Sequence, residues 1–334
     1  MKLATRAGDH LDGRLLVVSR DLSHALEARA APTMQAALER WGEAEGDLRA
    51  QYDALNAGRE PGAAGLDPAS LAAALPRAYQ FLDASAFLAH NHILADAWGY
   101  PRRTEADPPL MYQGLSDRIY SAHADIPFRS EDDDIDFEAE YAVIVDHTPL
   151  GTSPERAIEH IKLIVILNDW SLRAFGPTEM KGGFGFLQAK PPSSMSGIAV
   201  TPDELGGAWN DGRVGLPLRV LRGEEAFGQP HGEEMSYGFG ALIAHAAATR
   251  DLCAATVIGS GTVSNFDAAR VGSGCIAERR ALDALEAGRP PTPYLRFGER
   301  VRLEAVDGAG RSVFGLLDQR VVVLAVTREI VSTI

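Results

Sequence analysis

Cysteine is nearly absent: the 334 residues contain two, Cys253 and Cys275. Two thiols cannot form a disulfide framework, so a cytoplasmic protein is expected. Positive charge is also short. Lys and Arg total 32 against 46 Asp and Glu, giving a net charge of −14 and a pI of about 5.1. No basic patch offsets that balance, which argues against nucleic acid or an anionic membrane as partner. No apolar stretch reaches the ~18 residues of a spanning helix. The opening residues, MKLATRAGDHLDGRLLVV, hold no long apolar segment of the kind a secretory leader needs. Phosphate-cradle, nucleophile-elbow and Cys/His zinc patterns are lacking too: there is no G-x-x-x-x-G-K-[ST] and no G-x-S-x-G.

What is present begins with enough apolar residues, 46%, to bury a sizeable core in one large domain plus a smaller one. Residues 1 to about 22 read as a hairpin, and about 33–56 carry apolar residues at helical spacing (Met34, Ala37, Leu38, Trp41, Leu48, Tyr52, Leu55). Gly58–Asp67 is a Gly/Pro-rich linker and a boundary candidate. A short helix is expected over 68–75 and another between Asp83 and Gly99, the latter with His90 and His92. Residues 101–130 read as irregular, 152–160 as a Ser-capped short helix, and 174–187 as a mobile Gly-rich loop. Ile161–Leu167 is a buried strand ending in Asn168-Asp169-Trp170-Ser171. The remainder is expected to be strands near 197–201, 214–222, 257–264, 300–306 and 313–326, with one helix from Gly240 to about Leu252.

The most informative stretch is Glu131–Asp146, EDDDIDFEAEYAVIVD, in which seven of the first ten residues are acidic. As a strand it puts Asp136, Glu138 and Glu140 on one face, and that face runs on into Ala142 and Ile144. Carboxylates entering a core repel each other and lose hydration, which costs several kcal/mol unless a cation compensates. The competing reading is a solvated acidic edge strand. Asp83, His90, Asp169 and Lys190 complete the candidates. Oxygen donors without thiolates suit hard ions, Mg²⁺ first and then Mn²⁺ or Ca²⁺.

Taken together, these segments resemble the fumarylacetoacetate hydrolase family. Asp136-Phe137-Glu138-Ala139-Glu140 resembles its acidic metal strand, and Asn168-Asp169-Trp170-Ser171-Leu172-Arg173 its Asn-Asp-Trp-Ser-x-Arg motif. Lys190 lies at the family's distance beyond that motif, and Ser260-Gly261-Thr262-Val263-Ser264 matches a late segment. Asp83 and His90, seven apart, match the metal Asp and catalytic His of the fumarylacetoacetases. The resemblance spans about 80–326. It implies an α+β, mainly β architecture, with a mixed β-roll catalytic domain at 73–334 behind a smaller α+β domain at 1–72. Asp83, Glu138, Glu140 and Asp169 would bind the metal. His90 would be the general base with Glu278 as its acidic partner, two residues late against the fumarylacetoacetases, and Lys190 and Ser194 would lie near developing negative charge. Tyr112, Arg173 and Thr262 would touch substrate, and a homodimer is implied. Ala174 and Gly176 replace polar pocket positions, so a substrate other than fumarylacetoacetate is expected.

The expected activity is metal-dependent cleavage of a C–C bond in a small anionic β-diketo acid by His-activated water. A decarboxylase, hydratase or keto–enol tautomerase on the same site is the alternative, since family membership alone does not decide the reaction. A third possibility is a structural Ca²⁺ site without catalysis, which requires His90 and Lys190 to lie far from the ion.

Overall fold

Residues 1–325 are described in the computed structural model of the chain. Its scaffold is an eleven-stranded sheet centred on the most apolar segments of the sequence. Ala139–Val145 pairs antiparallel with Ile161–Asn168 on one side and with Thr256–Gly259 on the other. All seven residues of Ala139–Val145 are buried, because both sheet faces are covered. Tyr141 and Val143 enter one core, Ala142 and Ile144 a second. The neighbouring strand divides likewise, Ile164 and Ile166 against Leu163 and Val165, as a pleat with a period of two requires.

The first core is shared with a five-stranded sheet in the order Glu225–Gly228, Leu218–Arg222, Arg300–Ala305, Leu317–Val323 and Asp125–Phe128. The second is closed by the helix Trp41–Asn56 through Leu48, Tyr52 and Leu55. The N-terminal strands Lys2–Arg6, Arg14–Val18, His24–Glu27 and Ala64–Gly65 extend the same large sheet beyond Ile198–Val200. The architecture is mixed α+β with more strand than helix. On the far side, Thr256–Gly259 runs parallel to Gln80–Ala84, which pairs with Met111–Gly114.

Several elements differ from expectation. The long N-terminal helix is broken at Arg40 into Met34–Glu39 and Trp41–Asn56. Residues 68–75 hold only a single 3₁₀ turn, Pro68–Ser70. The supposedly irregular 101–130 contains the strands Met111–Gly114 and Asp125–Phe128; Pro127 is tolerated because the latter is an edge strand. The loop at 174–187 begins with the helix Gly176–Gly182. The strand expected over 257–264 stops at Gly259, since Gly261 turns the chain at φ +75°. The last strand covers Leu317–Val323, and Val326 lies outside the described residues. The helix Ile276–Ala287 was not anticipated at all.

Ile144 is wholly buried where the acidic strand meets the second core. Ile144→Ala should lower unfolding free energy by about 2–5 kcal/mol, read as a shifted urea midpoint with an unchanged slope, and leave Mg²⁺ affinity of the folded protein intact. An unshifted midpoint would contradict this packing.

Candidate active site

Three strands of the large sheet each deliver a carboxylate to one end of it: Ile161–Asn168 and Ala139–Val145 are neighbours, and Gln80–Ala84 lies one strand further on, across Thr256–Gly259. Glu140 is the second residue of Ala139–Val145, Asp83 the fourth of Gln80–Ala84, and Asp169 directly follows Ile161–Asn168. Glu138 sits at a break in the acidic strand, its N–H donating to Asn168 Oδ1 and its carbonyl accepting from the Asp169 N–H. One carboxylate oxygen from each of Asp83, Glu138, Glu140 and Asp169 falls within 4.8 Å of all the others, and all four residues are buried.

Glycine makes the space. Gly259 pairs with Asp83 on one side and Ala142 on the other. A Cβ there would come within 2.1 Å of Asp83 Oδ1 and 3.1 Å of Glu140 Oε2. The carboxylates therefore occupy the volume a side chain at 259 would fill.

The electrostatics are lopsided. Burial, and then the charge of Asp169, push Asp83 well above the usual carboxylate range. Burial also raises Glu140, reinforced by Asp83, Asp169 and Glu138. Burial alone would raise Glu138 too, but Lys190 and Arg173 outweigh it and hold that carboxylate low. Lys190 Nζ donates to Glu138 Oε2 at 2.7 Å and Asp169 Oδ2 at 2.5 Å, and these anions push its pKa up against the effect of burial. Arg173 is divided between Glu138 Oε1, at 2.6 Å, and Asp136 Oδ2, at 2.8 Å. Four carboxylates thus face one ammonium of their own and a shared guanidinium. Neither oxygen of Glu140 finds a hydrogen-bond donor. An all-oxygen set with excess negative charge and orphaned acceptors fits a hard divalent cation.

His90 lies in the helix Leu88–Trp98, which packs on the helix Ile276–Ala287. That contact sets His90 Nδ1 2.7 Å from Glu278 Oε2, with Glu278 fully buried. Asp83 is on a strand, not on the His90 helix, so a shared helical face does not explain how the two come together; a strand–turn–helix connection does. His92 points elsewhere, bonding the Arg103 carbonyl at 2.8 Å and packing on Phe266. A cavity of about 410 Å³ connects Asp83, His90, Glu138, Tyr112, Arg173, Lys190 and Thr262. Tyr112 Oη also donates to Asp169 Oδ2 at 2.6 Å. His90 and Lys190 thus open on the same cavity as Asp83 and Glu138, contrary to what a purely structural ion site requires.

Two sequence assignments need correction. Ser194 faces away from the cleft: it accepts from Trp170 Nε1 at 2.9 Å and Gln319 Nε2 at 2.8 Å in the interior. Alternation along the chain turns Ser193 toward the cluster instead, where its hydroxyl donates to Asp169 Oδ1 at 2.6 Å. Asp136 does not share the face of Glu138 and Glu140, because the strand breaks after it. It accepts from the Ile276 and Ala277 N–H groups at the start of the helix that carries Glu278. The sequence pattern assigns none of these roles to Ser193, Asp136 or Gly259.

A buried carboxylate centre with a His–Glu pair and a lysine at one cleft is the equipment of a metal-dependent hydrolase. The chain belongs to the fumarylacetoacetate hydrolase family: the model of the fumarylacetoacetate (FAA) hydrolase C-terminal region matches residues 81–322, and that of fumarylacetoacetase N-terminal domain 2 matches 1–77. Among solved structures, a Mycobacterium smegmatis protein assigned as HpcE aligns at TM-score 0.68 with 19% identity, covering 97% of this chain and 99% of that one. Maleylpyruvate hydrolase from Sphingobium sp. SYK-6, in complex with manganese(II) and pyruvate, aligns at 0.64 with 17% identity, covering 96% and 99%. Fumarylpyruvate hydrolase from Pseudomonas aeruginosa, in complex with Mn²⁺ and pyruvate, aligns at 0.55 with 14% identity, covering 75% and 92%. These likenesses concern the fold. No curated protein matches the chain. Among the described residues no helix is long and apolar enough to cross a membrane.

Asp83 and Glu140 have folded pKa values above their ordinary 3.8 and 4.5. The metal-free fold therefore holds protons that the unfolded chain has released, and its stability declines as pH rises from about 4.5 toward the raised values. Glu140→Gln should flatten that decline in melts run with chelator and raise metal-free stability in mildly alkaline buffer. The same variant should lose Mg²⁺ affinity by at least ~100-fold, the top of the range for losing an outer-shell partner. Unchanged Mg²⁺ affinity by calorimetry would remove Glu140 from the centre.

Proposed function

We propose that the protein is a Mg²⁺-dependent hydrolase that cleaves the C–C bond of a β-diketo acid of the acylpyruvate type. The observation that carries this reading is His90, paired with the buried Glu278, opening on the same cleft as Asp83 and Glu138 of the four-carboxylate cluster. Asp83, Glu138, Glu140 and Asp169 would hold the ion; once bound, it supplies Lewis acidity and an anchor for adjacent oxygens of the diketo acid. Manganese and pyruvate in the two hydrolase neighbours support a divalent ion and an oxo-acid here.

The chain's own groups do the rest. The Glu278 carboxylate accepts from His90 Nδ1–H, which fixes the tautomer and leaves Nε2 free to take a proton from water. The resulting hydroxide adds to the carbonyl distal to the carboxylate end, and the C–C bond breaks with its electron pair passing to the pyruvyl side as an enolate. Lys190 is held in the cleft to meet that charge, and Arg173 keeps the local field positive toward an acid substrate. Tyr112 and Thr262 line the cleft as substrate contacts. The proposal keeps the 72/73 domain boundary and a cytoplasmic homodimer.

A panel of acylpyruvates followed by loss of diketone absorbance with added Mg²⁺ tests the activity. His90→Ala should retain metal affinity and lose kcat by ~10²- to 10⁴-fold. Lys190→Ala should lose ~10²-fold or more. A near-normal kcat in His90→Ala would remove the base and favour the tautomerase alternative.

A further inference from the structure

The far end of the cleft has no role in the chemistry above, yet it is built. At about 410 Å³ the cavity is of a size class that takes ligands well beyond a three-carbon oxo-acid. Its outer wall is Leu110, Met111, Met180 and Phe186. Leu110 is 49% and Met180 63% exposed, so both offer apolar surface at the mouth. The Phe186 ring meets Tyr112 edge-on at 5.1 Å, tying the rim to the residue that bonds Asp169.

Charge is arranged the other way round. Among the described residues lining the cavity, the Lys and Arg side chains are Lys190 and Arg173, both engaged at the inner end by Glu138, Asp169 and Asp136. The outer wall has one charged group, Glu179, an anion whose oxygens accept from the Leu187, Gln188 and Ala189 N–H groups. Glu179, Met180 and Gly183 present one side of the helix Gly176–Gly182 to the cavity. Lys181 lies roughly 150° round the axis from their mean direction and does not line it. A carboxylate at this end would lie against apolar side chains, meet no cation among the described residues lining the cavity and face Glu179.

We propose that the substrate's acyl arm is uncharged and apolar, an alkyl or aryl group seated on Leu110, Met111, Met180 and Phe186, rather than an arm ending in a second carboxylate. The inference rests on the diketo-acid reading of the cleft, and binding of unreactive analogues separates the two. Calorimetry on the Mg²⁺-loaded protein would compare 2-oxoheptanoate with 2-oxoheptanedioate, which have equal chain length, and then a ladder of straight-chain 2-oxo acids. The expected result is at least ~10-fold tighter binding of the monoacid, with affinity rising roughly fourfold per methylene along the ladder. Met180→Arg, at an exposed position, should shift the preference toward the diacid, and Phe186→Ala should flatten the ladder. Equal or tighter binding of the diacid by the unaltered protein, an affinity independent of chain length, or binding of neither acid would overturn the proposal. If the monoacid is preferred but no acylpyruvate is cleaved, the hydrolase reading falls and the apolar arm stands. If acylpyruvates are cleaved without that preference, the reverse holds.

Discussion

Four carboxylates inside one 4.8 Å neighbourhood, all buried, are the constraint to which the rest of the structure answers. Each would be hydrated if exposed, and together they repel, so the fold must supply position, space and countercharge at once. Position comes from strand ends, the stiffest source available, since the strands are held on both sides by neighbours and on both faces by a core. Space comes from Gly259, where any side chain would collide with Asp83. Countercharge comes from Lys190 and half of Arg173, which is enough for Glu138 and too little for Asp83 and Glu140. The deficit is a binding determinant: a dication gains what the metal-free protein lacks.

Asp136 connects that centre to the His90–Glu278 pair. Fully buried, it holds Arg173 with one oxygen shared between the guanidinium and the Ala277 N–H, while the other accepts from the Ile276 N–H. Charge at a helix start is favourable because the first N–H groups have no partner within the helix. The same carboxylate therefore fixes the entry of the helix bearing Glu278 and the guanidinium that grips Glu138. The helix bearing Glu278 and the guanidinium at the carboxylate cluster are thus registered through one residue that hydrogen-bonds to neither His90 nor the four carboxylates.

What the sequence made legible follows from range. The acidic strand, the buried Ile161–Leu167 and the Asn168-Asp169-Trp170-Ser171 block are local patterns, and the matching elements form. The break at Phe137–Glu138 was hidden, because alternation read from sequence assumes an unbroken pleat, whereas here Glu138 bridges to Cys275, far along the chain. The same assumption misplaced Asp136, whereas the assignment of Ser194 came from the family resemblance and the structure puts Ser193 at the cluster instead. The helix Ile276–Ala287 is rich in charged residues and buries only a narrow face against the His90 helix, so its apolar period was faint. Proximity of Asp83 to His90 came from a turn between a strand and a helix, not from helical spacing.

The chain as a whole is acidic, and the cleft separates charge along its length. Over the distance of a Debye length, ~8–10 Å, the net −14 is a background that the interior largely escapes, and local groups decide. At the inner end, Lys190 and Arg173 offset part of the negative charge of the carboxylate cluster. Toward the mouth, apolar side chains and the occupied carboxylate of Glu179 leave no attraction for a second anion. On the reading proposed above, a substrate with one charged and one apolar end would dock in one orientation. That orientation would set its charged end at Lys190 and Arg173 and its apolar arm against Phe186, polarity along the cleft rather than shape fixing the alignment.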